Sequence, residues 1–99
     1  MNVTIKSVHF DASESTREFL EERLQKIDFA TDKIVDLDFT LTREKDHQFE
    51  IEAKLHFRWG LRAVVKTKSY DLNQGIHELV DKVDMKVRKE VEKVQEHKA

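Results

Sequence analysis

Between Val35 and Lys66 the chain repeats with a period of two. Val35, Leu37, Phe39 and Leu41 alternate with Asp36, Asp38 and Thr40. Phe49, Ile51, Ala53, Leu55 and Phe57 alternate with Glu50, Glu52, Lys54 and His56, and Leu61, Ala63 and Val65 with Arg62, Val64 and Lys66. This alternation predicts three strands, each with one buried and one wet face. The polar link Arg43 to Gln48 and the turn Arg58-Trp59-Gly60, where Gly60 is free to take positive φ, predict an antiparallel meander. Ahead of it, Val3 and Ile5 alternate with Asn2, Thr4 and Lys6 and predict a first strand.

In two places the apolar spacing becomes helical. Thr16, Leu20, Leu24 and Ile27 form one stripe, capped by Ser13 or by a box of Ser15 with Glu18. Glu14 and Glu18 lie where the helix dipole favours negative charge. The second helix runs roughly from Leu72 to His97, capped by Asp71 or Asn73, with Ile76, Val80, Val83, Val87, Val91 and Val94 facing the sheet. About 26 residues at 1.5 Å make it about 40 Å long. Strands of eight or nine residues span about 28 Å. The helix is therefore expected to overhang the sheet, leaving Val91 and Val94 short of cover.

The order is β-α-β-β-β-α. A helix between the first two strands implies a right-handed parallel crossover, and one apolar face per strand puts both helices on that face. The predicted fold class is α+β: a four-stranded mixed sheet with two helices packed on one face. With no proline, two glycines, no internal repeat and no linker composition, residues 1–99 read as one compact unit.

Composition narrows the chemistry. Charged residues make up 38% of the chain and hydrophobic residues another 38%, at a net charge of −2. No global basic field exists to attract nucleic acid, so such binding must come from local segregation of charge. The absence of cysteine excludes disulfides and thiolate chemistry. The segment MNVTIKSVHF lacks the apolar core of a signal peptide, and no run approaches the roughly 18 apolar residues of a membrane span. The expectation is a cytoplasmic protein with no membrane partner.

Against this acidic background, residues 82–98 carry six Lys or Arg and four Asp or Glu. On a helix advancing about 100° per residue, Lys82, Lys86, Lys89 and Lys93 fall within a sector about 60° wide. Glu78, Asp81, Glu92 and Glu96 gather on the other flank. One reading is a solvated face carrying Glu-to-Lys pairs such as Glu78 with Lys82. The other is a rail of four free ammonium groups that tracks a nucleic-acid backbone and displaces its counterions. Arg17, Arg23 and Lys26 of the first helix extend that rail if the helices lie side by side.

Arg58, Arg62, Lys66 and Lys68, with Trp59, form a second basic cluster. They read as an RNA-contacting hairpin with a stacking ring, or as an open sheet face balanced by Glu50 and Glu52 with Trp59 covering the end of the core. The second reading is preferred. His9, His47, His56, His77 and His97 are scattered without zinc-site spacing. There is no phosphate-cradling glycine loop, and Asp36 and Asp38 share a strand face without a nucleophile or base. Neither a catalytic nor a metal site is expected, nor a cofactor, nor a small-molecule substrate.

The segment DLNQGIHELVDKVDMKVRK, residues 71–89, resembles the second-helix signature of the ribosome hibernation-promoting factors, also called ribosome-associated inhibitor or sigma-54 modulation proteins. The matching positions are Asp71, Leu72, Ile76, Leu79, Val80, Asp81 and Lys82. STREFLEERLQKID, residues 15–28, is similar to the first helix, with Arg17, Arg23 and Lys26 at matching basic positions. The likeness spans nearly the whole chain and implies a double-stranded-RNA-binding-domain-like fold. It also implies a translation inhibitor of stress or stationary phase. Such a protein would occupy the mRNA and tRNA channel of the small ribosomal subunit through rRNA phosphates, with Arg17, Arg23, Lys26, Lys82, Lys86 and Lys89 as contacts. Two positions depart from the pattern. Asn73 stands where the family has Tyr, and Met85 stands where it often has Arg. Lys86 follows, which moves the charge about 100° round the helix. Ending at Ala99, the chain resembles the short form without a C-terminal dimerisation domain. The competing expectation is a protein-interaction module, a weak homodimer formed through the Val87, Val91, Val94 edge.

Overall fold

The computed structural model describes residues 1–96, with the side chain of Glu96 outside the description. Strand β1 spans Asn2–Val8, helix α1 Glu14–Arg23, β2 Ile34–Arg43, β3 Phe49–Phe57, β4 Arg62–Ser69 and helix α2 Leu72–Glu96. A 3-10 segment, Leu24–Ala30, continues α1. The sheet order is β1-β2-β3-β4, with β1 parallel to β2 and the other pairs antiparallel. This is the expected α+β fold: a crossover through α1, then a meander, with both helices contributing to one core on one face of the sheet. The expected end of α2 at His97 lies outside the described residues.

Local chemistry sets most boundaries. Ser13 Oγ accepts from the Thr16 backbone N–H at 3.1 Å, so Ser13 caps α1. Asp71 Oδ1 accepts from the Gln74 N–H at 3.2 Å, so Asp71 caps α2. Gly60 turns the β3–β4 hairpin at φ 90°. The polar β2–β3 link closes with the Glu44 N–H donating to Gln48 O at 2.7 Å and His47 at φ 67°.

Two expectations change. The first helix tightens after Arg23, and Ile27 leaves helical geometry (φ −110°, ψ 16°). In a three-residue repeat Leu24, Ile27 and Ala30 fall on one side, and all three are buried. Thr16, at the start of the stripe, is only half-buried. In β2 the register shifts between Ile34 and Asp36. This bulge sends Ile34 into the core and turns Val35, predicted to face inward, out to 39% exposure. In β4, Leu61 precedes the strand and is exposed, its carbonyl accepting from the Phe57 N–H at 2.9 Å.

Leu37, Phe39, Leu41, Ile51, Ala53, Leu55 and Phe57 form the floor of the core under Ile76, Leu79, Val80, Val83 and Val87. Burial then fades along α2, with Val91 and Val94 half-covered, as its length against the strands requires. Gly75 brings α2 down onto β3: a Cβ there would stand 2.5 Å from Ile51 Cδ1 and 3.1 Å from Ser69 Cβ.

Candidate nucleic-acid interface

The four lysines of α2 emerge on the flank that overlooks β4. Lys82 Nζ donates to the Lys66 carbonyl at 3.1 Å. Leu61 O pairs inward with β3, so even-numbered residues of β4 turn their backbone groups to the open edge. Lys82 thus caps one acceptor of that edge. The expectation of four free ammonium groups is not met. Lys86 Nζ lies 3.0 Å from Glu90 Oε1 and Lys93 Nζ 3.4 Å from the same oxygen. Glu90 is buried between the row and the apolar stripe, and the Lys86 hydrogen bond, opposed by desolvation, holds its carboxyl below the usual range. Lys89 is exposed and has no ion-pair or hydrogen-bond partner among the described residues. Four lysines and one glutamate leave the row at a net charge of +3.

Sequence reasoning missed Glu90, although its spacing from Lys86 (i, i+4) and Lys93 (i, i+3) carried the signal. The Glu78–Lys82 pair is not formed, since Glu78 accepts from Gln74 and Thr67 instead; the Thr67 contact puts Glu78 on the β4 flank with the lysines, not on the opposite flank where helical spacing had placed it.

The cations of the first helix do not extend the row. The helices do lie side by side, but Lys26 pairs with Asp81, one residue and about 100° round α2 from Lys82. That contact holds the Asp81 carboxyl below its usual range, chiefly through the Lys26 hydrogen bond. Arg17 Nη1 donates to Ile5 O at 3.1 Å, and Arg23 stacks 5.1 Å over the Phe19 ring. Arg17, Arg23 and Lys26 therefore belong to a separate patch beyond the opposite flank of α2.

The second basic cluster also divides. Lys66 lies 3.8 Å from Glu50 and 3.5 Å from Glu52, the balanced sheet face that was expected. Trp59 stacks on Phe57 at 5.0 Å and covers the end of the core. On the open face Asp38 accepts from Thr4 Oγ1 at 2.5 Å, while Asp36 accepts from Asn2 and lies 3.6 Å from His56. Among the described residues no three histidine or acidic side chains converge to hold a metal, and no helix is long and apolar enough to cross a membrane.

A family model described as sigma 54 modulation protein / S30EA ribosomal protein matches residues 3–95. The chain belongs to this family. Curated relatives named ribosome hibernation promoting factor are 31% identical in Azotobacter vinelandii and 30% in Pseudomonas putida. The first match covers 94% of this chain and 85% of the relative, the second 96% and 91%. A ribosomal subunit interface protein from Coxiella burnetii superposes with a TM-score of 0.81, at 19% identity over 90% of this chain and 96% of that one. The N-terminal domain of Thermus thermophilus Protein Y gives 0.77, again at 19% identity, over 90% and 98%. At that identity these two likenesses speak to the fold.

The residues of α2 on which the resemblance was read are largely folding residues. Asp71 caps the helix, Leu72, Ile76, Leu79 and Val80 pack into the core, Asp81 ties α2 to Lys26, and Lys82 caps the β4 edge. Met85 is 72% exposed on the same helix.

Proposed function

We propose that this protein is a ribosome hibernation factor. It binds the small ribosomal subunit through rRNA phosphates near the mRNA and tRNA channel, and blocks translation by steric occupancy rather than by catalysis. The observation that carries the reading is family membership across residues 3–95, with relatives named for that role. The structure supports it with a row of net charge +3 on one flank of an acidic protein. Lys89 offers the least encumbered ammonium. Lys86 and Lys93 reach phosphate by exchanging one shared carboxylate for it, and Lys82 by leaving a carbonyl. Arg17, Arg23 and Lys26 would contact rRNA from a second direction, on the α1 side.

Sucrose-gradient sedimentation with purified small subunits tests this. The wild-type protein should travel with the subunit, and Lys82→Glu, Lys86→Glu and Lys89→Glu together should leave it at the top of the gradient. If the triple variant sediments like the wild type, the lysine row is not the contact. If neither sediments with the subunit, the functional reading fails.

A further inference from the structure

Under the free end of α2 lies a cleft of about 370 Å³ lined by Lys33, Arg58, Trp59, Val91, Val94 and Gln95. We infer that it binds one unpaired nucleotide of single-stranded RNA, the base against Trp59 and the phosphate against Lys33 and Arg58. The inference rests on the proposed RNA-binding function and specifies a site within it. Among the described residues both charged liners are cations, and Asp32, 3.6 Å from Lys33, is not part of the lining. Arg58 is held in place by donating to Asp32 O at 2.9 Å, and among the described residues its other guanidinium donors have no partner and can meet phosphate. Trp59 is fixed by its stack on Phe57 and still 40% exposed.

A rigid aromatic ring, an aliphatic wall of Val91 and Val94, and two cations together are what a sequence-tolerant base-stacking site requires. Val94 follows Lys93 but projects about 100° round α2, so the cleft is a site separate from the lysine row and carries its own two cations. A second copy of the protein fits less well: a two-fold contact through this cleft brings four cations, Lys33 and Arg58 of each copy, into one interface.

Trp59 is the only tryptophan, so its emission reports on the cleft alone. The full chain is titrated with oligoadenylate of about ten nucleotides, and separately with a blunt RNA duplex of similar length. Saturable quenching by the single strand and not by the duplex is expected. In anisotropy with labelled oligoadenylate, Trp59→Leu should bind about tenfold more weakly, while Trp59→Phe, which keeps a stacking ring, should bind nearly as the wild type does.

Unchanged emission on saturation, or equal affinity for Trp59→Leu and Trp59→Phe, overturns the inference. So does an emission shift that grows with protein concentration in the absence of RNA, which would assign the cleft to a second copy. The broader reading fails separately. A protein that travels with small subunits yet shows a silent indole loses only the cleft. Quenching in a protein that never travels with subunits keeps the cleft and removes the ribosome.

Discussion

Glu90 sets the working charge of the lysine row. Its folded pKa lies below the ordinary carboxylate value, so the unfolded chain takes up the proton first as pH falls. The stability it contributes is complete above that ordinary value and is lost as pH falls through the lowered one. Glu90→Gln should therefore reduce stability at neutral pH by about 1 kcal/mol, since half-exposed lysine ends weaken a charge-assisted bond. It should also shrink the difference between urea unfolding at pH 7 and at pH 3. The same change releases Lys86 and Lys93 and should tighten binding to small subunits several-fold. A variant that is less stable and also binds more weakly would show that these lysines contribute to the fold and not to the ribosome.

At the scale of elements, the sequence patterns located every strand and both helices, because period-two and period-3.6 spacing follow directly from backbone geometry. Local spacing cannot register decisions made between elements. The bulge at Ile34 exchanges which of two adjacent β-branched residues is buried, and either alternation looks sound in isolation. Thr67, buried at the β4–α2 contact, reads as an ordinary polar strand residue until α2 is placed over it. The site was legible to the same degree. The lysine row followed from helical geometry, whereas its separation from Arg17, Arg23 and Lys26 depends on which flank of α2 meets α1. Gly75 is a further contact that only the assembled elements expose. Gly75→Leu must push Ile51 out of a packed position and should cost about 1–3 kcal/mol. Thermal melting should then fall by roughly 4–8 °C for each kcal/mol. An unchanged melting temperature would mean that α2 stands further from β3 than the 2.5 Å between an added Gly75 Cβ and Ile51 Cδ1 implies.

At the scale of the whole molecule, a net charge of −2 and a row of net charge +3 mean that the remaining surface is acidic. Such a molecule is repelled by RNA in most orientations and attracted in one, so charge orients the approach. The open β4 edge beside the row is itself protected from pairing with other chains by Arg62, Lys66 and Lys68 and by the Lys82 cap. The row therefore serves solubility as well as binding, and salt separates the two uses. Neutralising about three phosphates gives a slope of about −2.7 in log affinity against log salt. Binding to small subunits should thus weaken about 40-fold between 50 and 200 mM salt. Lys82→Glu, Lys86→Glu and Lys89→Glu together should flatten that dependence as well as lower the affinity. A wild-type slope shallower than about −1, measured with the same subunits, would mean that the lysines only keep the edge soluble and that the grip on the ribosome lies elsewhere on the molecule.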